Sequence, residues 1–432
     1  MINPATILKE AINCFSPTPI SDETISYYHP TAKAREGLNY EVHQQLYKKI
    51  ILSANNSSGS YKRFLVMGQR GCGKSSELYM LTTMLRNSLV LPIAIDITDN
   101  LENILIDDSD LNKSGIVKIF ELIKNAIVEY ATHISVPIDK KFLEAYEESK
   151  RPKKSLVCAK EDKSGTLKEC DPSKLRISIK QPNTVKMSKP SIADVLKALN
   201  AIIKNFAQIN MKQSIVIILD GLEKYDYDEA KKLFEGDFTF KLLSAIDAHL
   251  IMVCPISLRY APEVYDPESV WIKTLIPAIK IRNTDCSIHP DGIDVIKKLV
   301  FRRAVASLFE DSVLEAVIAK TGGNLRLICK KLQDIIEEAC INHKEKVDMN
   351  AVNTVFDRTW QEQINPVYYK YRRVLKDIYE GNLVESNEVL ADMLKNELVF
   401  EYDFKHGQYY QIDLHPSLRE HFDKYPEKIN SL

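Results

Sequence analysis

The octapeptide Gly68-Gln69-Arg70-Gly71-Cys72-Gly73-Lys74-Ser75 fits the spacing G-x-x-x-x-G-K-[ST] at each fixed position. An apolar run, Phe64-Leu65-Val66-Met67, leads into it, and a helical pattern from Ser75 to Leu85 leads out. Strand, glycine-rich turn and helix start, in that order, make a cradle for phosphate. The glycines let successive backbone amides curl round a β-phosphate, and the helix N-terminus adds positive potential. Lys74 is then the cation that reaches the β- and γ-phosphate oxygens, and Ser75 the hydroxyl that ligates Mg²⁺. The candidate binding set is Gly68, Gln69, Arg70, Gly71, Cys72, Gly73, Lys74, Ser75 and Ser76, and the expected cofactors are ATP and Mg²⁺. Cys72 stands at a free position of the motif and reads as filler.

Such a cradle needs a carboxylate at the end of a neighbouring buried strand to hold the metal's water shell. Ser214-Ile215-Val216-Ile217-Ile218-Leu219-Asp220 supplies one, so Asp220 joins Ser75 as a candidate metal ligand. In most ATPases of the additional-strand group a water-activating Glu follows this Asp directly. Here Gly221 takes that place and Glu223 comes two residues later. Asp220-Gly221-Leu222-Glu223 resembles the Walker B segment of NACHT-type STAND ATPases, an aliphatic run followed by Asp-Gly-x-Asp-Glu. The last acid of that pattern is Lys224 here, which predicts slow hydrolysis. The candidate catalytic residues are Glu223, Lys74 and Asp220, with a surface salt bridge as the other reading of Glu223.

Leu250-Ile251-Met252-Val253-Cys254-Pro255-Ile256-Ser257 is a strand ending in a polar residue, the location of sensor 1 in AAA+ enzymes. Ser257 either hydrogen-bonds the γ-phosphate or the attacking water, or caps a turn, and Arg259 lies in the same loop. Thr321-Gly322-Gly323-Asn324-Leu325-Arg326 precedes a helix with Leu325, Ile328, Leu332, Ile335 and Ile336 on one face. Gly-Gly-x-x-Arg before such a helix resembles the sensor 2 element of AAA+ initiators of the origin-recognition type and of related STAND proteins. That resemblance implies a lid from which Arg326 reaches the γ-phosphate with its planar fork.

The bulk composition restricts what else the chain can be. Lys and Arg number 58 against 59 Asp and Glu, so nothing in the overall charge favours coating a nucleic acid or an anionic membrane. With 45% hydrophobic and 27% charged residues, a chain of 432 residues is globular and long enough for two or three domains. Its apolar runs fall short of a membrane span. Met-Ile-Asn-Pro-Ala-Thr-Ile-Leu-Lys-Glu carries no basic region feeding an apolar stretch, and the expected location is cytoplasmic. The eight cysteines form no C-x-x-C pair and read as reduced thiols.

The expected fold class is an α/β P-loop NTPase, a parallel sheet flanked by helices, with an α-helical lid and a C-terminal winged helix-turn-helix domain. The expected order is an N-terminal arm (1–34), the ATPase core (35–286), the lid (287–358), the winged helix (362–425) and a tail (426–432). Within the core, residues 150–190 hold 12 Lys or Arg, four Asp or Glu and no aromatic residue, and read as a basic insertion with a hairpin through Leu175 to Ile179. Periodicity predicts helices at Ile7–Phe15, Leu38–Ser53, 114–134, Ile192–Phe206, Val367–Tyr379 and Asn387–Leu394, and a last core strand near Ile276–Ile281. From Glu362 to Lys428 nine basic residues face thirteen acidic ones, a poor composition for a DNA reader.

These readings converge on an ATP-dependent, slowly hydrolysing switch of the STAND or AAA+ type, an ATPase of bacterial type that forms a homo-oligomer or controls a partner effector protein. Family company suggests anti-phage defence. The alternative is a nucleic-acid-loading ATPase resembling replication initiators or transposition regulators. Nucleic acid is thus a possible but not the favoured partner, and no membrane is expected. Hydrolysis is expected to draw on an arginine from a neighbouring subunit, with Arg259, Arg282, Arg302 and Arg303 as candidates.

Overall fold

The computed structural model describes residues 3–35, 38–55, 61–98, 115–151, 153–157, 184–188, 191–224, 237–260, 270–283, 287–382, 387–404 and 409–425. The chain folds into two compact units, one of residues 1–99, 214–240 and 248–432, the other of 100–213 and 241–247. The first unit opens with α1 (Leu8–Cys14), α2 (Val42–Ala54), β1 (Arg63–Gly68), α3 (Lys74–Arg86) and β2 (Val90–Asp96). The second unit holds α4 (Gly115–His133), α5 (Lys140–Ser149), β3 (Lys153–Val157), β4 (Thr184–Ser188) and α6 (Ile192–Ile209). The chain then returns through β5 (Ser214–Asp220), α7 (Asp237–Ser244), whose residues the two units share, β6 (His249–Pro255) and β7 (Trp271–Ile276). Four helices follow, α8 (Pro290–Phe301), α9 (Val313–Thr321), α10 (Leu325–Ile341) and α11 (Met349–Thr359). Last come α12 (Asn365–Tyr379), α13 (Asn387–Lys395), β8 (Val399–Phe404), β9 (Tyr409–Leu414) and α14 (Pro416–Lys424).

Five parallel strands form the central sheet in the order β2-β5-β6-β1-β7. β6 therefore lies between the strand that leads into the glycine-rich loop and the strand that ends in Asp220. β1 and β6 are buried at every position, as unbroken apolar runs in a parallel sheet require. Helices α2 and α3 supply the apolar cover of one face, with Leu46, Ile50, Leu81 and Leu85 clustered against Phe64, Val66, Val216 and Ile251. Each such side chain contributes about 1.5–3 kcal/mol by leaving water.

The last core strand is displaced from its expected place. β7 pairs with β1 from Trp271 to Ile276, and the ladder stops where Pro277 has no N–H to donate. Ala278, Ile279 and Ile281 stay buried beyond it, Ile279 and Ile281 within the apolar cluster of the four-helix lid. In the second unit α4 and α6 lie together, joined by an edge-on Tyr130–Phe206 contact with ring centroids 6.1 Å apart. Lys150 sits between Glu147 (2.8 Å) and Glu121 (3.3 Å). The hairpin expected through Leu175 to Ile179 lies outside the described residues. The described β structure of the basic segment is the antiparallel pair β3–β4, from Lys153 opposite Ser188 to Val157 opposite Thr184.

The lid helices enclose Val295, Val317, Leu332, Ile335 and Val352, and α1 of the arm adds Leu8, Ala11 and Phe15 to the same cluster. Gly322 and Gly323 at the lid turn both have positive φ, +64° and +78°. A Cβ at Gly322 would stand 2.6 Å from the Phe400 ring, so close approach of the C-terminal domain requires glycine there. That domain is two helices, a hairpin and a further short helix, α14, which periodicity did not reveal. Pro416 at its first turn and the pair Leu418 and Phe422 four apart are the local signals for it. Among the described residues, no helix is long and apolar enough to cross a membrane.

The arm crosses from the lid to the core. Ala5 bridges to Ala304, and further on Tyr28 donates from its hydroxyl to Glu77 Oε1 (3.0 Å) in the first turn of α3. Glu77 Oε2 accepts from the His43 backbone N–H (3.0 Å) and lies 2.8 Å from His43 Nδ1. Burial pushes the Glu77 carboxyl up, but the bonds and charge from His43, with Arg35 beyond, outweigh it and hold the group below the usual carboxylate range. A depressed carboxyl contributes stability that is complete above its unfolded value and is lost as pH falls through its folded value. Glu77→Gln is therefore expected to cost about 1–3 kcal/mol at neutral pH, and the gap to wild type should close towards pH ~3. Denaturant titrations at both pH values measure this, and equal stabilities at neutral pH would contradict it.

Candidate functional site

The cradle closes where β1 ends and α3 begins. A Cβ at Gly68 would meet the Ile276 carbonyl oxygen at 2.6 Å, and Gly71 and Gly73 adopt φ of +82° and +99°. Gly73 is the N-cap of α3 and offers no side chain, so the first N–H groups of this 13-residue helix point freely into the loop. Lys74 is buried and donates from Nζ to the carbonyl oxygens of Gly68 (2.8 Å) and Gln69 (3.1 Å). Its ammonium is thus held over the loop.

Asp220 ends β5 with its carboxyl hydrogen-bonded to Ser75 and to the Gly221 N–H (2.9 Å). Burial and the neighbouring Glu223 push Asp220 upward, while Ser75, Lys74 and Gly221 oppose the shift. Glu223 Oε2 also accepts from the Gly221 N–H, at 3.2 Å. One backbone amide therefore serves both acids of this turn. Ser75 Oγ and the Asp220 carboxylate form an oxygen-only donor pair, the kind Mg²⁺ takes, and among the described residues no group of three or more His, Cys, Asp or Glu is set to hold a metal.

A cavity of about 300 Å³ is lined by Gly71, Gly73, Lys74, Ser75, Ser76, Asp220, Glu223 and Arg326. Arg70 lines it as well, so most of the sequence-derived candidates converge on one space. Three do not. Gln69 is buried and donates from Nε2 to the Val399 carbonyl of β8 (2.7 Å), tying the loop to the C-terminal domain. Cys72 is buried under its own turn, and its carbonyl accepts from Arg35 (2.6 Å). Ser257, also buried, lines an adjoining cavity of about 540 Å³. Arg70, Glu223 and Lys224 border both spaces.

The lid meets the cradle through its backbone. Asn324 donates from Nδ2 to the Arg70 carbonyl (2.8 Å) and caps α10 by accepting from the Leu327 N–H (3.1 Å). The Arg326 N–H donates to the Gly71 carbonyl (3.2 Å). Of the arginines considered for a neighbouring site, Arg302 and Arg303 are engaged within the chain. Arg302 donates to the Ser26 carbonyl (3.0 Å), and Arg303 is buried over the Tyr27 ring while donating to the Tyr27 carbonyl (3.2 Å). The Arg282 backbone bridges to Ile288, and the Arg259 side chain lies outside the described residues.

Sequence reasoning missed Arg35, Asp96 and Thr98. Arg35 donates to Thr31 (2.9 Å), to Cys72 and to the Pro277 carbonyl, contacts that no local pattern encodes. Asp96 ends β2 in register with Asp220, and Thr98 follows it into the cavity lining. The signal available was an apolar strand ending in an acid, the same signal that marked Asp220.

In the C-terminal domain Tyr368, Tyr371 and Leu375 are buried while Tyr369 is exposed. Asp392 of α13 accepts from Lys370 Nζ (3.1 Å) and from the Tyr371 hydroxyl. Leu390, Met393 and Leu394 of α13 share an apolar cluster with Ile256, just past β6. The helix in the recognition position of a winged helix is thus seated on the end of the central sheet.

No protein-family model matches the chain, and no curated protein sequence matches it. Among solved structures it is similar to the ORC1 protein of Aeropyrum pernix in complex with DNA, with a TM-score of 0.42 and 12% identity over 93% of this chain and 95% of that one. It is similar to the ORC2 protein of the same organism in its ADPNP and ADP complexes, with a TM-score of 0.47 and 11% identity over 94% and 98%. A third similarity is to Cdc6p of Pyrobaculum aerophilum, with a TM-score of 0.42 and 12% identity over 98% and 99%. The chain has the architecture of an α/β P-loop NTPase with a helical lid and a winged-helix domain.

Proposed function

We propose that the chain is an ATP-binding, slowly hydrolysing switch of the AAA+ or STAND type. The observation that carries this reading is the direct bonding of the phosphate cradle to both of its neighbours, through Gln69 to β8 and through Arg70 and Gly71 to the lid turn. A change in the loop on nucleotide exchange reaches both domains without an intermediary. Lys74 exchanges its carbonyl partners for β- and γ-phosphate oxygens, and Arg326 meets the γ-phosphate from the lid. Ser75 and Asp220 hold Mg²⁺, which supplies charge neutralisation at the phosphates. Glu223 polarises the attacking water, and Ser257 reports on the far side of that acid. The output is assembly with further copies or with a partner effector, and anti-phage defence is the setting suggested by the STAND resemblance.

A nucleic-acid-loading ATPase is the second reading. The ORC1 protein of Aeropyrum pernix was solved with DNA, and the basic segment 150–190 offers this chain a phosphate contact. The seating of α13 on the core argues against the winged helix as the reader in this conformation.

Lys74→Ala is expected to weaken binding of an ATP analogue by about 100-fold or more in calorimetry, since it removes the cation on the β- and γ-phosphates. Equal binding by wild type and variant would refute the cradle assignment. Glu223→Gln is expected to bind the analogue as wild type does and to lose about 10²-fold in turnover. Unchanged turnover would leave Glu223 a structural partner of Gly221. In a gel shift at physiological salt, any weak duplex binding should vanish on deleting 150–190, and tight binding by 360–432 alone would promote the second reading.

A further inference from the structure

Lys224 stands where the resembling Walker B segments carry an acid, and its surroundings give it a task. Its Nζ donates to the Thr98 hydroxyl at 2.5 Å, and that hydroxyl donates in turn to Asp96 Oδ1. The Thr98 backbone N–H closes the turn on the same carboxylate oxygen (2.9 Å). A chain of three groups, Asp96, Thr98 and Lys224, thus fixes a flexible side chain beside the cavity that holds Lys74, Ser75, Asp220 and Glu223. The same chain explains Gly221. Its φ is +111°, and a Cβ there would meet Thr98 Oγ1 at 2.9 Å and Asp96 Oδ1 at 3.1 Å. The place of the side chain that follows the Walker B Asp is taken by the groups that hold Lys224.

The other side of the site opens into the adjoining cavity. The adjoining cavity, which Glu223 and Lys224 share, is walled by the molecule's own Lys370, Tyr371, Asp392 and Lys395. An arginine from a neighbouring subunit would meet two cations of the chain itself there, Lys370 and Lys395. Arg302 and Arg303 are engaged with the arm in any copy.

We propose that Lys224 is the cation that stabilises the γ-phosphoryl group during hydrolysis, supplied by the chain itself, with Thr98 and Asp96 as its positioning residues. This rests on the reading of the site given above. In the reaction the water oxygen bonds to the γ-phosphorus and the bond to the β,γ-bridging oxygen breaks, its electron pair leaving with ADP. The water's proton passes to the Glu223 carboxylate. Negative charge on the equatorial oxygens then lies beside a point charge already in place, which needs no reorganisation at the moment of transfer. A hydroxyl partner suits this use, because an ammonium neutralised by a direct carboxylate contact would have less to offer the phosphate.

The test is steady-state hydrolysis by the full chain, with analogue binding followed by calorimetry. Lys224→Met should lower kcat by about 10²-fold and leave KM and analogue affinity within about threefold of wild type. Lys224→Arg, which keeps the charge, should recover part of the loss, and Thr98→Val should fall between wild type and Lys224→Met in kcat alone. Wild-type turnover per chain should hold on dilution from ~10 μM to ~0.1 μM, as a site completed within one chain requires. Unchanged kcat in Lys224→Met, or turnover per chain that collapses on dilution, would overturn the proposal. Failure of wild type to bind the analogue would overturn the site reading itself, a separate outcome.

Discussion

Four consecutive residues of one loop hold the rest of their unit in place. The side chain of Gln69 bonds to β8, the carbonyls of Arg70 and Gly71 accept from Asn324 and Arg326 of the lid, and the carbonyl of Cys72 accepts from Arg35 of the arm. A phosphate cradle must keep its amides turned inward, so its carbonyls point out. Here the outward carbonyls of Arg70, Gly71 and Cys72, which would otherwise need water, accept from the lid and the arm, and the Gln69 side chain donates to a third part of the chain. The constraint runs both ways: the loop's curvature decides whether the other three fit, and their fit biases the curvature the loop adopts.

The two acids at the end of β5 show how little room is left. Asp220 and Glu223 share the Gly221 amide, and Asp220 sits in a setting whose burial resists its charge. Two carboxylates this close are tolerable because Lys74 and Ser75 stand against them and because Lys224 and Arg326 line the same cavity. The cavity therefore carries more cationic than anionic side chains and suits a polyphosphate, since basic groups reach it from six places in the sequence, Arg35, Arg70, Lys74, Lys224, Arg303 and Arg326, against Glu77, Asp96, Asp220 and Glu223.

The cradle, the Asp220 strand and the lid helix were legible in the sequence because each is a local pattern: an apolar run, glycines at fixed spacing, a 3.6-residue stripe. What was not legible is set by topology. Asp96 comes beside Asp220 only because β2 pairs with β5, and Arg35 finds the Cys72 carbonyl only because the arm is pinned by Glu77 and by the lid. Pro277 ended β7 early by a chemical rule that was readable but was overridden by the apolar residues after it. Gly322 and Gly323 were recognised as a motif, whereas their physical cause, the Phe400 ring and the Ile279 carbonyl against their backbones, lies across domains.

Between the lid and the winged helix the backbone never leaves helical geometry. α11 passes into a wide π turn at Trp360–Ile364 and then into α12. From the π turn to Tyr379, α12 makes a lever of about 22 Å at 1.5 Å per residue, so a ten-degree bend at the turn is a displacement of about 4 Å at its far end. A domain on a coil linker wanders by diffusion; a domain on this lever moves along an arc. The π turn, where the hydrogen-bond ladder is already irregular, is the natural fulcrum of that arc.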